Sequence, residues 1–142
     1  FANEDIGLSE PNAISMAIST WQAFERLGSP EGDLSIAQLV IYLSTCPKSN
    51  SAYKAWNNVK SFVQEHPYAS PPMSILNAPT QLMKDIGYGK GYIYDHHAVD
   101  AFSGQNCFPE KVDRQTFYKP IQRGYEREIK KRLDWWNKLR NQ

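Results

Sequence analysis

Residues 77–94 read NAPTQLMKDIGYGKGYIY, and within them Gly87, Gly89 and Gly91 alternate with Tyr88, Lys90 and Tyr92. Glycine amides beside a lysine form the kind of cradle that binds phosphate. A nucleotide phosphate loop, however, needs G-x-x-x-x-G-K followed by Ser or Thr, entered from a strand and leading into a helix. Here Lys90 is followed by Gly91, and the glycines close a helical stretch instead of opening one. The pattern therefore argues against nucleotide binding by this chain. Two readings stay open. One is a Gly/Tyr turn that packs on neighbouring helices. The other is a contact to DNA phosphate or to a sister subunit through Lys84, Tyr88, Lys90 and Tyr92.

A second group of chemically capable residues is Asp95, His96, His97 and Asp100, with Cys107 further on. Their spacing fits no zinc pattern, and adjacent imidazoles point different ways. They read as a solvated loop. Nucleophilic catalysis needs a base within reach of the nucleophile; His66 precedes a proline in a linker, and Cys46 and Cys107 each lack a named base. The expectation is a chain with no catalytic, cofactor-binding or metal site of its own. The cysteines lie 61 positions apart in unlike settings and read as reduced thiols.

The elements that must position these residues are helical. Ile14, Ala17, Ile18, Trp21 and Phe24 follow helical spacing after a start at Ser9-Glu10-Pro11, with Ser9 as the N-cap, and Gly28 stops the run. Asp33 caps a second helix through Ile36, Leu39, Val40, Ile41 and Leu43, apolar nearly all round and so expected at the buried centre. Ser49 or Asn50 caps a third, with Ala52, Trp56, Val59 and Val63 on one face. Residues 67–76 hold three prolines and read as an extended connector. A short fourth helix over residues 79–86 leads into a long loop, residues 87–112. The only strand-like alternation of note covers residues 88–94. The predicted fold is all-α, about five helices in one domain over residues 1–142.

Net charge is +1 but uneven: residues 1–70 carry four Lys/Arg against seven Asp/Glu, residues 111–142 ten against four. The last helix, predicted over residues 120–141, places Ile121, Tyr125, Ile129, Leu133 and Trp136 on one stripe. Arg127, Lys130, Lys131, Arg132 and Lys138 lie on its other faces, a surface that suits phosphate. It equally suits an ordinary solvated helix with Glu126/Lys130 and Glu128/Arg132 pairs. Trp135 and Trp136 are about 100° apart on a helix and cannot share one core. Trp136 continues the stripe, which leaves Trp135 as a candidate for a subunit interface. No apolar run reaches the roughly 18 residues of a membrane span.

Several blocks in order resemble one family. Asn77-Ala78-Pro79-Thr80, Leu82-Met83-Lys84 and Gly87 to Tyr92 match an NAPT-x-LMK-x-x-GYGKGY core. Glu4-Asp5-Ile6-Gly7, Ala23 to Gly28 with Pro30-Glu31-Gly32, Tyr42-Leu43 with Pro47 to Asn50 and Tyr53, and Phe117-Tyr118-x-Pro120 with Arg123-Gly124 match others. The chain is similar to the C-terminal domain of replication-associated recombination AAA+ ATPases of the MgsA/RarA type, related to the Werner-helicase-interacting protein. Asn3, where serine is usual, and the loop around Asp95 to Ala98 depart from the pattern.

The resemblance implies helical hairpins arranged like a clamp-loader collar, forming a non-catalytic oligomerisation domain. It implies a bacterial cytoplasmic, nucleoid-associated parent protein that binds ATP and Mg, assembles as a homotetramer and acts on DNA at stalled or damaged forks. Single-stranded DNA-binding protein is its implied partner. The start at Phe1 reads as an excision just after an ATPase lid. A DNA-binding module built on the basic last helix and the residue 87–91 loop is the alternative.

Overall fold

Helix starts and stops in this chain follow from a few short signals. The structure, a computed structural model, describes residues 1–141. Among them it contains five α-helices and no strand: α1 Ala13–Leu27, α2 Glu31–Thr45, α3 Ser51–Glu65, α4 Gln81–Ile86 and α5 Glu126–Arg140. The expected all-α class is what the chain adopts. No helix among the described residues is long and apolar enough to cross a membrane.

The chain divides into two compact units, residues 1–60 with 117–132 and residues 61–116 with 133–142. In the first, α1 and α2 form a helical hairpin across Gly28-Ser29-Pro30. Gly28, at φ 67°, donates its N–H to the Phe24 carbonyl and ends α1. α2 starts at Glu31, two residues before the expected cap Asp33, which lies instead with Glu31 in the first turn, where the helix dipole favours negative charge. Ser29 adds a hydroxyl bond of 2.8 Å to Asp33.

The closely packed part of this unit is small and polar. Ile6 and Ala13 are the buried apolar side chains, and Ser9, Thr20, Ser49, Ser51 and Glu126 are buried beside them. Glu126, the first residue of α5, is fully buried, with its carboxylate at the helix's positive end. One carboxylate oxygen accepts from the Ser49 hydroxyl (2.9 Å), the Ser51 hydroxyl (3.3 Å) and the Ile121 N–H (2.9 Å). The other accepts from the Tyr118 hydroxyl at 2.8 Å. Burial, and then this bond to Glu126, push the Tyr118 phenol well above its usual range.

Ser9 ties the same region to the N-terminus. Its hydroxyl reaches the carbonyls of Ile6 and Pro47, and its own carbonyl accepts from the Tyr125 N–H at 2.8 Å. Ser9 is therefore a bridge between segments and not the cap of α1, which starts four residues later, at Ala13. Gly124, at φ 49°, passes so close to the Ser9 carbonyl that a Cβ there would overlap it.

α2 departs most from expectation. Leu34, Ile36, Val40 and Ile41 are all exposed, and Gly32 is the buried residue of that helix. An apolar circumference states a need for cover, and this chain supplies little of it.

In the second unit, Phe62 near the end of α3 stacks on His66 and meets Phe108 edge-on, with ring centroids 4.3 and 6.4 Å away. The proline-rich connector includes a 3-10 turn at Met73–Ile75. Residues 88–94 form turns and irregular backbone; left-handed glycines at 87, 89 and 91 break the alternation before a strand can form. α5 begins at Glu126, later than the predicted residue 120, because Gly124 turns the chain just before it.

Replacing Glu126 by leucine is expected to lower the urea midpoint sharply at unchanged slope. The loss should be on the order of 3 kcal/mol or more, since several buried donors lose their acceptor at about 1–3 kcal/mol each. Glu126→Gln keeps one acceptor oxygen and should cost less. Gly124→Ala should resemble the leucine variant.

Candidate functional site

The glycine and tyrosine run is positioned by its own short helix. Thr80 caps α4 by accepting from the Met83 N–H at 3.3 Å, and Gly87 closes it in the left-handed region at φ 103°. The Gly89 N–H then donates to the Met73 carbonyl at 2.8 Å, which pins the loop to the 3-10 turn. These bonds shape an open groove of about 520 Å³ whose walls include Leu76, Asn77, Lys84, Tyr88 and Tyr92. Lys84, Tyr88 and Tyr92 are thus brought together, as their sequence proximity suggested. Lys90 is exposed on the same loop but is not part of that wall.

The α5 candidates lie in two groups. Arg127, Lys130 and Lys131 belong to the first unit, Trp135 to the second. Lys131 donates to Glu128 at 2.8 Å and holds that carboxyl below its usual range, so much of its charge is locally balanced. Lys130 is half-buried and engaged with a neighbour, and Arg127 is exposed. Trp135 is exposed at 44%, whereas Trp136 stacks on Phe102 with centroids 5.7 Å apart. The histidine loop contains a 3-10 turn at Asp95–His97, where Tyr94 meets both imidazoles and Asp95 accepts from the Ser103 N–H. Among the described residues no three metal-ligating side chains converge.

A second cavity in the same unit, about 160 Å³, was not visible in the sequence. Tyr92, Asp95, Phe102, Gly104, Gln105 and Arg140 are among its walls. The side-chain carbonyl oxygen of Gln105 accepts from the Ile93 N–H at 2.8 Å, while its buried Nε2 meets no acceptor among the described residues. Arg140 lies over the Phe102 ring, 4.9 Å from its centroid, and donates to Asn137 at 2.7 Å. Arg114 donates to the carbonyls of Gly104 (3.0 Å) and Gln105 (2.7 Å). Partial burial, and then the charge of Arg114, push the Arg140 guanidinium below its usual value. These residues come from three separate stretches, and only the folded chain shows that they meet.

The chain belongs to the family described as MgsA AAA+ ATPase C terminal, matched over residues 1–137. Replication-associated recombination protein A of Coxiella burnetii is 44% identical over 142 residues, covering 99% of this chain and 32% of that protein. The Escherichia coli K12 protein of the same name is 39% identical over 135 residues, covering 94% and 30%. ATPase WRNIP1 of Dictyostelium discoideum is 34% identical over 119 residues, covering 83% and 14%. The chain thus spans less than a third of the length of these relatives.

Thr80→Ala should loosen α4 locally without unfolding the chain. Loss of the cap, about 1 kcal/mol, predicts roughly fivefold faster amide exchange across α4 and unchanged exchange in α1.

Proposed function

We propose that this chain is a non-catalytic assembly domain that joins copies of an AAA+ ATPase. The observation that supports the reading most is the uncovered apolar surface of the α1–α2 hairpin. Trp21, Leu34 and Ile41 are exposed at 68%, 65% and 65%, with Ile18, Leu27 and Val40 exposed near them in sequence. Side chains of this size in such number mark a surface that something covers.

The relatives' names, replication-associated recombination protein A and ATPase WRNIP1, support a parent among the ATPases of replication-associated recombination. In this reading the parent binds ATP and Mg in an ATPase module outside these residues, forms a homotetramer, and acts on DNA at stalled or damaged forks in the bacterial cytoplasm and nucleoid. Single-stranded DNA-binding protein is its expected partner. Contact of α5 with DNA through Lys130 and Lys131 is the weaker alternative, since both lysines already have partners within the chain.

Light scattering on the 142-residue chain is expected to give about four times 16.3 kDa. Trp21→Glu combined with Ile41→Glu should reduce this to the monomer while helix content by circular dichroism stays unchanged. A strict monomer at high micromolar concentration would overturn the proposal and assign the hairpin surface to the rest of the parent protein.

A further inference from the structure

We infer that the cavity beside Gln105 takes the phosphate group of one nucleotide of a single-stranded nucleic acid, held by the guanidiniums of Arg140 on its wall and Arg114 beside it, with the base outside against the Tyr92 ring. The inference rests on the parent's acting on DNA and is independent of assembly. It shares Tyr92 with the wall of the glycine loop's groove and takes Arg140 from the last turn of α5.

Two cations are held near one another here by separate anchors. Arg140 is fixed by the Phe102 ring and Asn137, Arg114 by two backbone carbonyls. Neither guanidinium has a carboxylate partner among the described residues. Gly104, whose carbonyl takes one of the Arg114 bonds, lies against the Arg140 side chain; partial burial first, and then the charge of Arg114, lower the Arg140 guanidinium. Each of the two cations keeps N–H donors beyond those its anchors use, because a guanidinium carries five. An anion between them relieves their repulsion and gains charge-assisted bonds.

Arg140 also offsets the negative end of the α5 dipole, a purely structural role. That role accounts for one cation and not for a second brought from Arg114. Asp95 is the opposing charge on the cavity wall, but its Oδ1 is taken by the Ser103 N–H. The buried Gln105 Nε2 adds an unmatched donor beneath the same cavity. At about 160 Å³ the space is below the roughly 300 Å³ of pockets for larger ligands and suits a single small group.

The aromatic surroundings decide between a nucleic acid and an acidic peptide. Tyr92, on the cavity wall, is exposed at 55%. Rings of this kind stack with bases at about 1–3 kcal/mol per base and offer nothing comparable to a carboxylate side chain. Positive groove and stacking platform together are the pattern by which single strands are bound without sequence preference.

The test is fluorescence anisotropy of labelled oligo-dT with the 142-residue chain across a salt series. Wild type should bind, more weakly as salt rises. Arg114→Gln with Arg140→Gln should weaken binding at least tenfold and flatten the salt slope by about 0.7 for each phosphate no longer neutralised. Arg114→Lys with Arg140→Lys should retain the slope, which separates charge from folding. Tyr92→Leu should weaken binding several-fold at unchanged slope, and Lys130→Ala with Lys131→Ala should change neither.

If wild type binds and the double glutamine variant binds equally, this site is wrong and DNA binding lies elsewhere. If wild type does not bind at all, both the site and DNA contact by this chain fall. If a labelled oligo-glutamate peptide binds with the same arginine dependence, the occupant is a protein and the nucleic-acid assignment is overturned.

Discussion

The first unit depends on one carboxylate. Glu126 begins α5, is wholly excluded from solvent, and gathers donors from Ser49, Ser51, Tyr118 and Ile121. A carboxylate buried without a cation is costly unless its lone pairs are filled, and here hydrogen bonds and the helix N-terminus fill them. The consequence is directional. Hydrophobic contact tolerates sliding, whereas four bonds to two oxygens fix how the start of α3, the approach to α5 and α5 itself are set against one another. The Ser9 bridge and the close passage of Gly124 extend the same constraint to the N-terminal turns.

A polar knot of this kind explains how so little apolar burial holds the unit together. It also explains which surface is left over. With the ends of α3 and α5 locked by hydrogen bonds, the α1–α2 hairpin is not consumed in making a core, and its apolar residues remain outward. Sequence pattern reports that a side chain needs cover; it does not report which molecule covers it. That is why α2 reads as a central buried helix and is found exposed.

How much was legible follows the same division between local and long-range causes. Helix class, the stop at Gly28, the end of α4 at Gly87 and the opposite fates of Trp135 and Trp136 all follow from spacing of a few residues. The clustering of Lys84, Tyr88 and Tyr92 was legible because the three sit within nine consecutive positions. Ser9 looked like a cap because caps and bridges use the same hydroxyl, and only Pro47 and Tyr125, far away in sequence, decide between them. Glu126 looked like one half of an i,i+4 surface pair with Lys130. Its true partners, Ser49 and Ser51, precede it by more than seventy residues. The Gln105, Arg114 and Arg140 group was invisible for the same reason.

The small core has a further consequence for how stability and assembly are linked. A chain whose larger apolar side chains lie mostly at the surface gains little hydrophobic free energy from folding alone, at about 25 cal/mol per Å² of apolar area removed from water. If the hairpin surface closes on another copy, the missing gain arrives only with association. Stability then rises with subunit concentration by mass action, so the unfolding midpoint depends on how concentrated the chain is. The polar knot is suited to that arrangement: it orients each helix end before association, so the apolar surface is presented already shaped and the ordering cost of docking is reduced.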